Sequence, residues 1–189
     1  MKRSQINTVY RQAKACFEAN GWTLPPNPKW DITDFGLGEF DKKGLVLINL
    51  AEESEYCEKL IYARKNQVTV AHAHKQKKED IICRTGELIL QVWGGHPEEV
   101  DQESSVTIRV CGDPRQVKNG GLITLNAGER VTLVPGVYHA FWPGTDECVI
   151  GEVSTANDDL NDNFFVDKTI GRFPGIEEDE ASEIRLISE

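Results

Sequence analysis

The sequence predicts a mainly β fold, a sandwich or small barrel, led by one amphipathic helix and an extended arm. Three observations carry this. From Leu45 onward the chain runs in short stretches rich in Val, Ile, Leu, Tyr and Thr, divided by turn residues. Only the first twenty residues show the three-and-four apolar spacing of a helix. At 189 residues, 39% hydrophobic and 28% charged, the chain is long enough for one domain with a real core. Residues 1–44 are expected to form the helix and a Pro/Trp-rich arm packed on the barrel. Residues 45–189 form the barrel with a C-terminal arm, the whole being one structural domain.

Taken in order, Ser4 is placed to cap a helix whose apolar positions Ile6, Val9, Tyr10, Ala13, Cys16 and Phe17 form one stripe ending near Asn20-Gly21. Pro25, Pro26 and Pro28 forbid its continuation and favour an extended connector, with Trp22, Trp30 and Phe35 as anchors. The strand candidates are GLVLINL, YCEKLIYA, QVTVAHAH, DIICRTGELILQVW, SVTIRV, GLITLNAGERVTLVPG, YHAFW and CVIGEVS. Gly86 and Gly128 mark tight hairpin turns within two of them. TANDDLNDNFF reads as an acidic, turn-rich connection, and IRLIS near the end as a short strand. The Asn157-Asp158-Asp159 run lacks the Gly and terminal Glu of a calcium loop.

A net charge of −10 disfavours nucleic acid and anionic membranes as partners. No segment approaches the roughly 20 apolar residues of a membrane span, and the basic start has no apolar stretch behind it. The five cysteines, Cys16, Cys57, Cys83, Cys111 and Cys148, are scattered, with no zinc-type spacing. They read as reduced thiols, and the expected location is cytoplasmic.

The chemistry concentrates in the histidines, of which there are four. His72 and His74 lie two apart at the end of a strand, so alternation aims both imidazoles at one face. Glu79 lies at an odd offset from His74 and would face away on a continuous strand. The polar stretch Lys75-Gln76-Lys77-Lys78 supplies a turn, after which Glu79 opens the next strand and faces back. Asp80 then points outward with Ile82. His139 follows the Pro135-Gly136 bend and is the third imidazole. His96, beside Pro97 and acidic residues, is expected in an exposed loop. Three imidazoles and a carboxylate suit a divalent transition metal, Mn, Fe, Co, Ni or Zn, better than calcium. Such a six-coordinate centre leaves two positions for neighbouring substrate oxygens.

His72-x-His74, four residues, Glu79, six residues and Gly86 resemble the first motif of the cupin superfamily. Gly128, Pro135, Gly136 and His139 in GERVTLVPGVYHAF resemble the second, with six residues between Gly128 and Pro135 where five are usual. More narrowly, HAHKQKKEDIICRTGEL, LVPGVYHAFWPG, GEVSTANDD and IGRFPGIEEDE resemble the bacterial D-lyxose isomerases over nearly the whole chain. The resemblance implies a single cupin jelly-roll barrel and a manganese-type ion. It further implies a homodimer that converts D-lyxose to D-xylulose, with D-mannose to D-fructose as a second pair.

An aldose–ketose isomerase needs groups that move a proton between C1 and C2 and steady the sugar oxygens. The resemblance marks Lys77, in the bend, as an active-site residue; otherwise it is a solvated turn lysine. Lys59 shares a strand face with Cys57, Ile61 and Ala63, and either snorkels outward or meets a buried anion. Glu152 shares a face with Ile150 and Ser154, on a strand expected beside the one carrying His139, and is a candidate base or a paired structural Glu. Arg172 and Glu178 come from a C-terminal arm that could fold over the barrel mouth to bind substrate and assist catalysis; an exposed acidic tail is the plainer expectation. A cupin dioxygenase and a non-catalytic sugar-binding cupin are the alternative readings. The Lys, Glu and Arg near both motifs suit a sugar better than an aromatic substrate.

Overall fold

A computed structural model of the chain describes every residue except Asp159 and 172–174. Its one helix among the described residues, α1 (Arg3–Ala19), is followed by β1 (Lys29–Thr33), β2 (Leu45–Glu52), β3 (Tyr56–Arg64), β4 (Thr69–Ala73), β5 (Glu79–Thr85) and β6 (Glu87–Trp93). Then come β7 (Ser105–Val110), β8 (Asp113–Lys118), β9 (Gly121–Asn126), β10 (Arg130–Leu133), β11 (Tyr138–Pro143), β12 (Glu147–Thr155) and β13 (Phe164–Phe165). An eight-stranded sheet has the order β1-β2-β3-β12-β5-β10-β7-β8, and a five-stranded sheet the order β13-β4-β11-β6-β9. All strand pairs are antiparallel. This is the mainly β, cupin-type jelly roll that the motifs led us to expect.

The two sheets face each other across a core built from both: Leu47, Ile61, Ile81, Cys83 and Ile150 from one, Leu88, Leu90, Ile123, Leu125 and Phe141 from the other. A second core lies on the outer face of the larger sheet. There Ile6, Val9, Ala13, Cys16 and Phe17 of α1 meet Trp30, Val46, Ile48, Leu60, Tyr62 and Val149. Strands β2, β3 and β12 are buried on both faces, which is why GLVLINL and CVIG read as continuous apolar runs rather than alternating ones.

Several expectations are corrected. Ser4 does not cap the helix; it lies inside it, and its N–H and hydroxyl donate to Asp179 at 2.9 and 2.7 Å. The acidic tail is docked rather than free, because the positive end of the helix and the buried Arg3 attract it. Arg3 holds Glu178 and Glu189 together. The arm after the prolines contributes a true strand, β1, and IRLIS contributes only a bridge between Leu186 and Trp30. Strand β8 was not expected. It is polar and mostly exposed, and pairs with β7 across a Cys111-Gly112 turn in which both residues have positive φ.

Candidate active site

Register explains how the site is assembled. On the inner face of the eight-stranded sheet Lys59 pairs with Glu152, and Glu79 pairs with Ser154, which lies two residues beyond Glu152 on the same face. On the five-stranded sheet His139 pairs directly with His72. Lysines and carboxylates therefore line one wall of the barrel and imidazoles the other. Strand β12 lies between β3 and β5, not beside β11, so Glu152 and His139 line the cavity from different sheets rather than from neighbouring strands.

The bend at 75–78 returns the chain as expected, and Glu79, Ile81 and Cys83 face inward. One ligating atom from each of His72, His74, Glu79 and His139 lies within 4.8 Å of the others. His74 Nε2 and His139 Nε2 stand 3.4 and 3.1 Å from Glu79 Oε1. The three Nδ1 atoms contact the carbonyls of Val70, Asp162 and Val137 at 2.8, 2.9 and 3.2 Å. Donation to a carbonyl puts the proton on Nδ1 and leaves each Nε2 lone pair free. His74 Nε2, His139 Nε2 and Glu79 Oε1 are buried with no hydrogen-bond partner. Converging acceptors without a donor fit a divalent cation. The His72 imidazole is held well below the ordinary histidine range by burial and by its two histidine neighbours, so it is neutral, as a ligand must be.

Beside this cluster is a buried network of alternating charge. Lys77 Nζ donates to Glu152 Oε1 at 2.9 Å and lies 3.0 Å from Glu79 Oε2. Lys59 Nζ lies 3.4 Å from Glu152 Oε1 and donates to Asn157 Oδ1 at 3.0 Å. Burial alone would raise Glu152, but Lys59 and Lys77 outweigh it and hold the carboxyl below the ordinary range. Burial likewise opposes the charge on Lys77, yet Glu152 and Glu79 raise it above the normal lysine value. The site thus offers an ionised carboxylate and a protonated amine side by side.

The cavity is lined by these groups together with Asp31, Phe35, Asn163 and Phe165. Glu178 is not brought to it; exposed on the outer side, it pairs with Arg3. Arg172 lies outside the described residues. His96 packs edge-on against Tyr138, with ring centroids 5.3 Å apart, away from the cluster. Sequence reasoning missed Asp31, Asn157 and Asp162. Their only signal was an Asp/Asn-rich segment and a Trp-Asp pair, with no spacing to link them to the histidines.

With this geometry in view, comparison with known proteins is specific. Residues 27–189 match the family described as D-lyxose isomerase. The D-lyxose/D-mannose isomerase of Serratia proteamaculans is 38% identical, aligning 100% of this chain with 97% of that protein. The Escherichia coli O157:H7 protein of the same name is 33% identical over 100% of this chain and 98% of its own. Among solved structures, Geodermatophilus obscurus L-ribose isomerase superposes with a TM-score of 0.68 at 16% identity, over 89% of this chain and 94% of that one. That likeness supports the fold.

Proposed function

Because the chain belongs to the D-lyxose isomerase family, we propose that it is an aldose–ketose isomerase acting on D-lyxose and D-xylulose. D-Mannose and D-fructose are a second pair, as the relatives' names suggest. The observation that carries the reading is one cavity in which an acceptor cluster faces a Lys–Glu–Lys network. His72, His74, Glu79 and His139 would hold a divalent transition ion, manganese being our first choice. Bound there, such an ion supplies Lewis acidity toward the carbonyl and the adjacent hydroxyl oxygen.

The chain's own residues do the rest. Glu152, ionised and buried, takes the proton from C2 of the open-chain aldose and returns it at C1, leaving an enediol between the two steps. Lys77 donates to the sugar oxygen on which charge develops, and recovers its proton as the ketose carbonyl forms. Lys59 holds Glu152 in its charged form and, through Asn157, fixes that side of the cavity. Phe35, Phe141 and Phe165 line the cavity beside these groups. The charged groups in the lining, Lys59, Lys77, Glu79 and Glu152, suit a polyhydroxylated sugar better than the aromatic substrate a dioxygenase reading would need. We place the sugar as the only small-molecule partner, and the working form as a cytoplasmic homodimer.

The test is a panel of aldopentoses and aldohexoses incubated with Mn2+-loaded protein, with ketose measured colorimetrically. D-Lyxose should react fastest, and EDTA should abolish turnover until Mn2+ is restored. Activity unchanged by prolonged chelation would reject the metal, and no ketose from any sugar would reject the function.

A further inference from the structure

The segment after β12 carries a residue used unusually fully. Asp162, buried, accepts from the N–H groups of Lys75 and Gln76 through Oδ1, both at 2.9 Å, and from that of Lys77 through Oδ2 at 2.8 Å. Its own carbonyl lies 2.9 Å from His74 Nδ1. One residue therefore contacts four consecutive positions, 74–77, running from a metal-ligand candidate to the active-site lysine. Asp162 thus accepts from all three N–H groups of the bend, and a buried N–H left unpaired is costly.

We propose that Asp162 is a positioning residue that couples the two chemical halves of the site. Its carboxylate holds the bend that delivers Lys77 to Glu152 and Glu79, and its carbonyl sets the tautomer and aim of His74. The arrangement has a physical logic. Lys77 must be held between two carboxylates from a turn that crosses from one sheet to the other, and a turn is the least rigid place for such a group. A carboxylate taking three N–H groups closes the turn without help from solvent. The backbone segment carrying it is tied in turn by Asn157 to Lys59 and by Phe165, paired with His72 in β13. The inference rests on the isomerase reading of the site.

Two variants separate the roles. In Asp162→Asn the amide oxygen keeps the Lys75 and Gln76 N–H groups, while its nitrogen cannot accept from Lys77. The expected result is kcat down about tenfold, KM within about twofold and Mn2+ affinity within about threefold. Asp162→Ala frees all three N–H groups and loosens the carbonyl on His74. It should lower kcat about a hundredfold and weaken Mn2+ binding, read by calorimetry, about tenfold. If the Ala variant fails to fold by circular dichroism, the Asn variant carries the test alone through its kcat and KM split. Variants that lose thermal stability but keep wild-type kcat and Mn2+ affinity would overturn the proposal. A wild type that binds Mn2+ but isomerises nothing would reject the isomerase reading instead, and the calorimetry would still decide the role of Asp162. A wild type doing neither overturns both.

Discussion

Replacing Lys77 by Met removes a charge and keeps most of the volume. The Lys77 side chain is 4% exposed, and its ammonium lies 2.9 Å from Glu152 and 3.0 Å from Glu79, whose side chain is 2% exposed. Taking away one partner of a buried ion pair costs about 3–5 kcal/mol. Lys59 remains 3.4 Å from Glu152, which argues for the lower end. At roughly 2–4 °C per kcal/mol for a domain of this size, about 3 kcal/mol lowers Tm by about 6–12 °C. Loss of a donor used mostly in the transition state should cut kcat by about a hundredfold or more, and each tenfold is about 1.4 kcal/mol of barrier. Metal affinity moves the other way: Glu79 loses a neighbouring positive charge, so Mn2+ binding should hold or tighten. The assay measures kcat and KM for D-lyxose, Mn2+ per chain and Tm on one preparation. Wild-type kcat, or a loss of activity traced wholly to lost metal, would refute the reasoning.

His139→Ala should lower metal occupancy and abolish turnover, whereas His96→Ala, against Tyr138 and away from the cluster, should change neither; elemental analysis and kinetics check both. The metal-free protein should lose stability as pH falls. His72 is held below its ordinary 6.5, so below that value the unfolded chain binds the proton and the folded one does not. Glu79 and Glu152, both held below 4.5, add a second loss as pH drops below 4.5 toward their folded-state values; urea titrations from pH 7 down to about 3 measure both slopes. Light scattering should give a dimer, and a 21.2 kDa species at all concentrations would exclude it.

Much of the site was legible because its information is local. Strand alternation aims His72 and His74 together, and the polar turn lets Glu79 face back. The inward face of Lys59 follows from Ile61 and Ala63. What remained hidden depends on contacts between residues far apart in sequence. Asp162 reaches the bend across 85 positions and Asn157 reaches Lys59 across 98, with nothing in either segment to announce the partner. The neighbour of β12 was misplaced for the same reason, since a late strand inserts between two early ones. Strand β8 was missed because DPRQVK is exposed on nearly every position and carries no apolar alternation. The tail was expected free because an acidic run looks solvated until a buried arginine and a helix start are seen to receive it.

The central claim is that this cavity moves a proton between C1 and C2 of an aldose. The most direct test is nuclear magnetic resonance of D-lyxose incubated in deuterated water with the Mn2+-loaded enzyme, the paramagnetic ion being removed before the spectra are taken. The account predicts D-xylulose carrying deuterium at C1, and none formed when Glu152 is replaced by Gln. D-Xylulose formed by Glu152→Gln at the wild-type rate, or no ketose from fully loaded wild-type enzyme, would contradict it.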